Sequence, residues 1–323
     1  MIELTEIRAA AARIAGRVHR TPIVISTTLG ERVGVRLHLK CESFQKTGSF
    51  KPRGALNKVE SLSRDEREAG LITTSAGNHA QGVAWAAREV GAPCAVVMPT
   101  DAPQSKIDAV RDYGAEVILE ADRATLFDRV EEEREARGAT FVHPFDDPLV
   151  LAGAGTTGLE IVEDVPDVDV VVVPVGGGGL LGGIASAVKA LRPETRVIAV
   201  ELEAGPGLGP ALEAGRPVTV QRPQPTLADG MTPPFVGQLP LEIAQRAVDD
   251  IVVVSEDEIA AAMELLLTRC KLIVEGSGAA ATAAILSGRI ALSDGARVVS
   301  VVSGGNVDLA TLAKTFGGRE QLQ

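Results

Sequence analysis

Val171-Val172-Val173-Pro174-Val175 runs straight into Gly176-Gly177-Gly178-Gly179, and from Leu180 onward the residues read as a helix. A short, uninterrupted apolar run fits a strand buried on both faces, as in a parallel sheet. Four successive glycines strip the turn of side chains, so that backbone amides can face a ligand closely. The following helix adds N–H groups without intrahelical partners and the positive end of its dipole, which together favour an anion such as a phosphate. A bare strand-to-helix turn would need only two glycines. A second reading of the same stretch stays open. Gly177, Gly179 and Gly182 satisfy GxGxxG, and Glu201 at the end of the next strand stands where a ribose hydroxyl would be held. On the turn alone, the site could serve a phosphate ester or the pyrophosphate of an NAD-dependent oxidoreductase.

Residues 170–188 form an uncharged run of 19, long enough to cross a membrane by length alone. Pro174 and the glycines break its centre, so strand, turn and helix fit it better. Outward from this stretch the pattern repeats. Strand signals fall at 35–40, 94–98, 117–119, 197–200, 251–254 and 298–302, with alanine-rich helical segments at 80–90, 184–191 and 256–272. Such alternation predicts an α/β fold of mostly parallel sheets flanked by helices, with ligands at the carboxyl ends of the strands. Residues 205–225, rich in Gly and Pro, read as an ordinary surface loop or as the chain's mobile surface segment.

A chain of 323 residues, 45% hydrophobic, suits one large or two medium domains with a substantial core. Only 3% of residues are aromatic, so that core must be aliphatic. The net charge of −11 argues against a nucleic-acid partner, and an anionic substrate must be held by local donors. Cys41, Cys94 and Cys270 show no CxxC spacing and read as reduced thiols. The first 15 residues carry Glu3, Glu6, Arg8 and Arg13 in place of the apolar stretch of a signal peptide. A cytoplasmic protein with no membrane partner is expected.

The decisive chemistry comes from a second segment, Ser49-Phe50-Lys51-Pro52-Arg53-Gly54-Ala55. Pro52 suits the first turn of a helix. A lysine beside an aromatic ring at a helix start is partly desolvated, which lowers its pKa and frees the amine for Schiff-base chemistry. Two further turns follow strands: Thr74-Ser75-Ala76-Gly77-Asn78-His79-Ala80-Gln81-Gly82 and Val301-Val302-Ser303-Gly304-Gly305-Asn306-Val307-Asp308.

With the glycine turn, these segments closely resemble the serine/threonine dehydratase family of fold type II pyridoxal-phosphate (PLP) enzymes, which are tryptophan synthase β-like and include threonine ammonia-lyases and serine racemases. Cys41-Glu42, His143-Pro144-Phe145-Asp146-Asp147, Gly155-Thr156-Thr157-Gly158-Leu159-Glu160 and Val274-Glu275-Gly276-Ser277-Gly278-Ala279 extend the resemblance over about residues 21–308.

The resemblance implies that Lys51 carries PLP as a Schiff base. It also implies that Gly176, Gly177, Gly178, Gly179 and Leu180 give backbone amides to the phosphate. Asn78 would hydrogen-bond the ring hydroxyl, Phe50 would flank the ring, and Ser303 would face the pyridine nitrogen. The loop of Ser75, Gly77, Asn78 and His79 would receive the substrate carboxylate. Taken singly, Asn78 also reads as a helix N-cap, Ser303 as a turn cap, and His79 as a polar cap at a helix start. Glu275 reads equally as a cap or as a buried partner near the ring. Two domains are implied, a large one of residues 1–60 plus 147–323 and a small one of 61–146, and a homodimer is usual in the family. The implied reaction is elimination of water and ammonia from L-threonine or L-serine, with 3-hydroxyaspartate dehydration or serine racemisation as alternatives.

Three departures bear on this. Racemases of the family place a proton-carrying serine where Ala76 stands, which favours one-sided elimination. Members with a divalent cation carry further carboxylates after the strand that ends at Glu201, whereas Gly205 and Gly207 stand there, and no metal is expected. The chain also ends soon after its last motif, so the regulatory domain of feedback-inhibited threonine dehydratases is expected to be missing.

Overall fold

A computed structural model describes residues 1–220 and 226–317. Its strands are β1 (Ile23–Ile25), β2 (Arg36–Cys41), β3 (Leu71–Thr74), β4 (Cys94–Pro99), β5 (Glu116–Glu120), β6 (Thr140–Phe141), β7 (Val170–Pro174), β8 (Arg196–Leu202), β9 (Asp250–Val254) and β10 (Arg297–Val302). They form a six-stranded sheet ordered β1-β2-β10-β7-β8-β9 and a four-stranded sheet ordered β5-β4-β3-β6. Every pairing is parallel except that of β1 with β2. Each predicted strand is present within a few residues. The short edge strands β1 and β6 offer too few residues for a periodic signal.

Alternation along the central strands explains how an aliphatic core suffices. Val170 and Val172 of β7, Ile198 and Val200 of β8, and Val298 and Val302 of β10 fall in one buried cluster. Their neighbours Val171, Val173, Val197, Ala199, Val299 and Val301 fall in another. Successive side chains point to opposite faces of a strand, so these valines fill helix-covered layers on both sides of the sheet. The four-stranded sheet has its own cluster, which also takes in Ala55, Leu56 and Val59 of the Lys51–Glu60 helix.

Two expectations change. The helix predicted over 256–272 is regular only over Glu256–Leu265, then widens into a π-turn over Leu266–Cys270 and stops at Lys271, whose φ is +62°. Within residues 205–225, Leu208–Ala214 is a helix anchored by buried Leu208 and Ala211, so this part is packed rather than a loop. Residues 221–225 of that segment lie outside the described residues. No helix among the described residues is long and apolar enough to cross a membrane.

One buried ionic network fixes the helix that begins with Lys51. Arg53 is fully buried. Its guanidinium donates to both carboxylate oxygens of Glu42, at 2.7 and 2.8 Å, and to both of Glu160, at 2.7 and 2.9 Å. Lys40 Nζ donates to Glu160 at 2.6 Å and to the Thr21 carbonyl at 2.8 Å. Two cations and two carboxylates thus tie the end of β2 and the Pro148–Asp164 helix to the Lys51–Glu60 helix. Buried charges tolerate removal from water only when paired and hydrogen-bonded in this way.

Candidate active site

The loops after β3, β7 and β10, at the carboxyl ends of their strands, line one cavity of about 720 Å³. Lys51 and Gly176 to Gly179 line the same cavity, as do Asn78 and Ser303. All the sequence-predicted site residues are therefore brought together.

Lys51 opens its helix, with Pro52 in the first turn as expected. Its Nζ donates to the Pro144 carbonyl at 2.9 Å and lies 5.0 Å from the centroid of the Phe50 ring. Burial pushes the amine's pKa down to about 8, because a desolvated ammonium is disfavoured. Near that pH about half of the side chains are neutral, against roughly 0.3% for an ordinary lysine. Phe50 is held by its own amide, which donates to the Ser303 carbonyl at 3.1 Å.

The glycine turn is shaped by what lies beneath it. A Cβ on Gly177 would stand 2.2 Å from the Phe145 ring, and Gly178 has φ +91° with Pro240 2.6 Å from where its Cβ would be. Neither position admits a side chain. The Gly179–Leu191 helix starts without a side-chain cap. Among the described residues no protein group accepts from the amides of Gly176, Gly177, Gly178, Gly179 or Leu180. Phe145 belongs to the His143-Pro144-Phe145-Asp146-Asp147 motif, whose polar members are spent on building it. His143 Nδ1 accepts from the Phe145 and Asp146 amides, Asp147 caps the Pro148–Asp164 helix, and Asp146 accepts from the amides of Gln238 and Leu239.

Asn78 begins the Asn78–Val90 helix, whose N-cap is Gly77, so the capping reading of Asn78 does not hold. Its amide is fixed on both sides. Nδ2 donates to Glu275 Oε1 at 2.6 Å, and Oδ1 accepts from Asn306 Nδ2 at 2.7 Å. One of the two Nδ2 hydrogens is left for the cavity. Glu275 stands at the N-cap of the Gly276–Leu286 helix, but its side chain makes no cap bond and turns to Asn78 instead. Burial, and then the charge of Asp229, push the Glu275 carboxyl up to about 8, against the opposing effects of Lys106 and of the Asn78 bond.

Ser75 Oγ accepts from the Gly77 amide at 3.0 Å and sets the turn. The His79 side chain is buried with Nε2 3.0 Å from the Val142 carbonyl. Burial, aided by Lys51, holds its pKa well below the ordinary value. His79 lines the cavity, and its buried Nδ1 has no protein partner among the described residues. Ser303 Oγ donates to the Ser277 carbonyl at 3.2 Å, while Ser277 Oγ, buried at the cavity wall, has no protein partner.

Glu201 does not face a nucleotide. Its carboxylate accepts from the amides of Gly207 and Leu208, each at 2.6 Å, and of Gly209 at 3.0 Å, which fixes the start of the Leu208–Ala214 helix. Among the described residues no three His, Cys, Asp or Glu side chains gather as a metal cluster. Sequence reading did not single out Lys106 and Asp229, which line the cavity as an ion pair, nor Asn306 as the residue that orients Asn78.

Open amides at a glycine cradle, a lowered-pKa lysine in the same cavity and an orphan hydroxyl at its wall fit a phosphorylated aldehyde cofactor. Comparison with known proteins agrees. The profile of the pyridoxal-phosphate dependent enzyme family matches residues 14–304, and the chain belongs to that family. Its cofactor is pyridoxal 5′-phosphate. The chain is 48% identical over 313 residues to an L-threonine ammonia-lyase of Thermotoga maritima, covering 96% of this chain and 77% of that protein. It is 45% identical to the catabolic L-threonine dehydratase TdcB of Escherichia coli K12, covering 98% and 96%. Among solved structures it is similar to the T.th. threonine deaminase, with a TM-score of 0.89 and 43% identity over 95% of this chain and 99% of that one. Maize serine racemase is similar too, with a TM-score of 0.92 and 38% identity over 98% and 97%.

Proposed function

We propose that this protein is an L-threonine ammonia-lyase, converting L-threonine to 2-oxobutanoate and ammonia with pyridoxal phosphate. The observation that carries the reading is Lys51. Its depressed amine sits in the cavity lined by the glycine turn and donates to Pro144, whose neighbour Phe145 packs under that turn. Relatives at 45–48% identity that bear this activity in their names support it.

The residue roles are part of the proposal. Bound pyridoxal phosphate supplies an electron sink for charge developing at the substrate Cα. The amides of Gly176, Gly177, Gly178, Gly179 and Leu180 hold its phosphate, Lys51 links to its aldehyde, and Phe50 flanks its ring. Asn78, fixed by Glu275 and Asn306, donates to the ring hydroxyl. Ser303 faces the ring nitrogen; a serine there, unlike a carboxylate, does not hold that nitrogen protonated. The main chain of the loop through Ser75, Gly77, Asn78 and His79 receives the substrate carboxylate. Lys51 Nζ, freed by the incoming substrate amine, takes the Cα proton. The β-hydroxyl would then leave as water, taking up the proton that Lys51 removed from Cα, and the released 2-aminobut-2-enoate would tautomerise to its imine, which takes up water and gives 2-oxobutanoate and ammonia.

Ala76 lines the cavity and has no proton to deliver, which favours elimination over serine racemisation. L-Serine is proposed as a second substrate. The proposal extends to a large domain of 1–60 plus 147–323, a small one of 61–146, and a cytoplasmic homodimer; the free cysteines suit a reducing compartment.

The test is a product assay on L-threonine, L-serine and 3-hydroxyaspartate. The expected result is 2-oxobutanoate and ammonia in equal amounts from threonine, a lower rate with serine and no D-serine. Absence of 2-oxo acid from threonine, or accumulation of D-serine, would overturn the assignment.

A further inference from the structure

The 75–79 loop offers a substrate carboxylate neutral donors only, and Lys51 must be an uncharged amine to do its work. The cation nearest the loop is Lys106, on the Gln104–Asp112 helix that follows β4. A Cβ built on Gly77 would have a single neighbouring atom within 4 Å, Lys106 Nζ at 3.8 Å. The Lys106 side chain is 13% exposed and forms an ion pair with Asp229, which reaches the cavity from the short turn Asp229–Met231. Arg123, another cation lining the cavity, is 52% exposed and paired with Asp101 at 2.8 Å.

We propose that Lys106 binds the substrate α-carboxylate, held over the loop at Gly77 by Asp229. The inference rests on the active site assigned above and deepens it by naming the charged contact that the neutral loop lacks. An ammonium has three N–H donors; Asp229 takes one, and those remaining can serve a carboxylate seated on the loop. Asp229 also sets a limit: it offsets the charge of Lys106, so that the pair is close to neutral overall and draws a carboxylate through the N–H donors that Asp229 leaves free. The titratable group facing this pair is Glu275, whose carboxyl is held by Asn78 and pushed up to about 8 by burial and by Asp229. Absence of a side chain on Gly77 keeps the space between loop and ammonium open.

The experiment compares L-alanine with L-alaninamide on the cofactor-loaded enzyme. Both carry the amine that alters the bound cofactor's visible absorption, and only the first carries a carboxylate. In Lys106→Gln the concentration of L-alanine giving half the spectral change should rise about 10- to 100-fold, the usual effect of losing one charge-assisted hydrogen bond. The value for L-alaninamide should stay within about threefold, and Lys106→Arg should keep most of the L-alanine affinity. Lys106→Met gives the same comparison without a hydrogen-bonding group and should match Lys106→Gln. Equal weakening for both compounds, or unchanged affinity for L-alanine, would overturn the proposal. Since alanine has no β-hydroxyl, failure of the threonine assignment leaves this readout intact, and the two can fail separately.

Discussion

Lys51→Ala is expected to lower turnover of L-threonine at least about 10³-fold, a loss of roughly 4 kcal/mol in transition-state stabilisation. The size follows from two duties on one nitrogen. The amine anchors the cofactor covalently, and after substrate displaces it, it is the base nearest Cα. Burial prepares it for both by bringing its pKa to about 8. Alanine removes the nitrogen and leaves the glycine cradle untouched. The variant should therefore still bind cofactor, reversibly, and lose it on dialysis where the wild type does not. Steady-state 2-oxobutanoate production and the visible absorption before and after dialysis check both halves. A variant within tenfold of wild-type turnover would show that another group moves the proton.

Arg53→Met should have the largest effect on stability of any single change near the site. The guanidinium is buried and answers the carboxylates of Glu42 and Glu160 with four hydrogen bonds. Its removal leaves Glu160 with Lys40 and the Glu42 carboxylate with the neutral Thr21 hydroxyl, and breaking a buried pair by deleting one partner costs about 3–5 kcal/mol. A chain of this length unfolds with an entropy of about 0.7 kcal/mol/K, so the melting temperature should fall by roughly 4–7 °C. Replacing Arg53, Glu42, Glu160 and Lys40 together by apolar residues should recover much of the loss, because no uncompensated charge of the network remains. Calorimetry on the holoenzyme reads this directly. A shift under about 1 °C for Arg53→Met would mean that water reaches the network and relieves it.

The same network shows where reading the sequence stops. Arg53 belongs to the contiguous lysine segment and is conspicuous there, but its partners lie 11 and 107 residues away. No local spacing connects them. The central strands were legible because burial on both faces makes each a plain apolar run, as β7 and β4 show. The glycine turn, Lys51 and the Asn78 loop were legible because each is a short continuous segment whose residue types are required by backbone approach or by nucleophilicity. Glu201 was ambiguous for the same reason: one carboxylate after one strand serves a ribose hydroxyl or a helix start equally well, and only the three amides it meets decide.

What remained hidden is assembled across crossovers. Lys106 and Asp229 are 123 residues apart and meet only because the helix after β4 faces the turn Asp229–Met231. Asn306 orients Asn78 across 228 residues. Phe145 was visible in its motif, but nothing in the order of residues told that its ring would lie beneath Gly177, or that it would join Phe127, Phe141, His143 and Phe235 in one aromatic cluster. In a chain with 3% aromatics, such a concentration beside the cavity marks the site better than any single phenylalanine does.

Reductive trapping bears most directly on the central claim that Lys51 holds the cofactor over the glycine turn. The holoenzyme is treated with borohydride, digested and mapped by mass spectrometry. The account predicts a phosphopyridoxyl adduct on the peptide containing Lys51 and no other; an adduct on Lys46, Lys106 or any other lysine, with Lys51 unmodified, would contradict it.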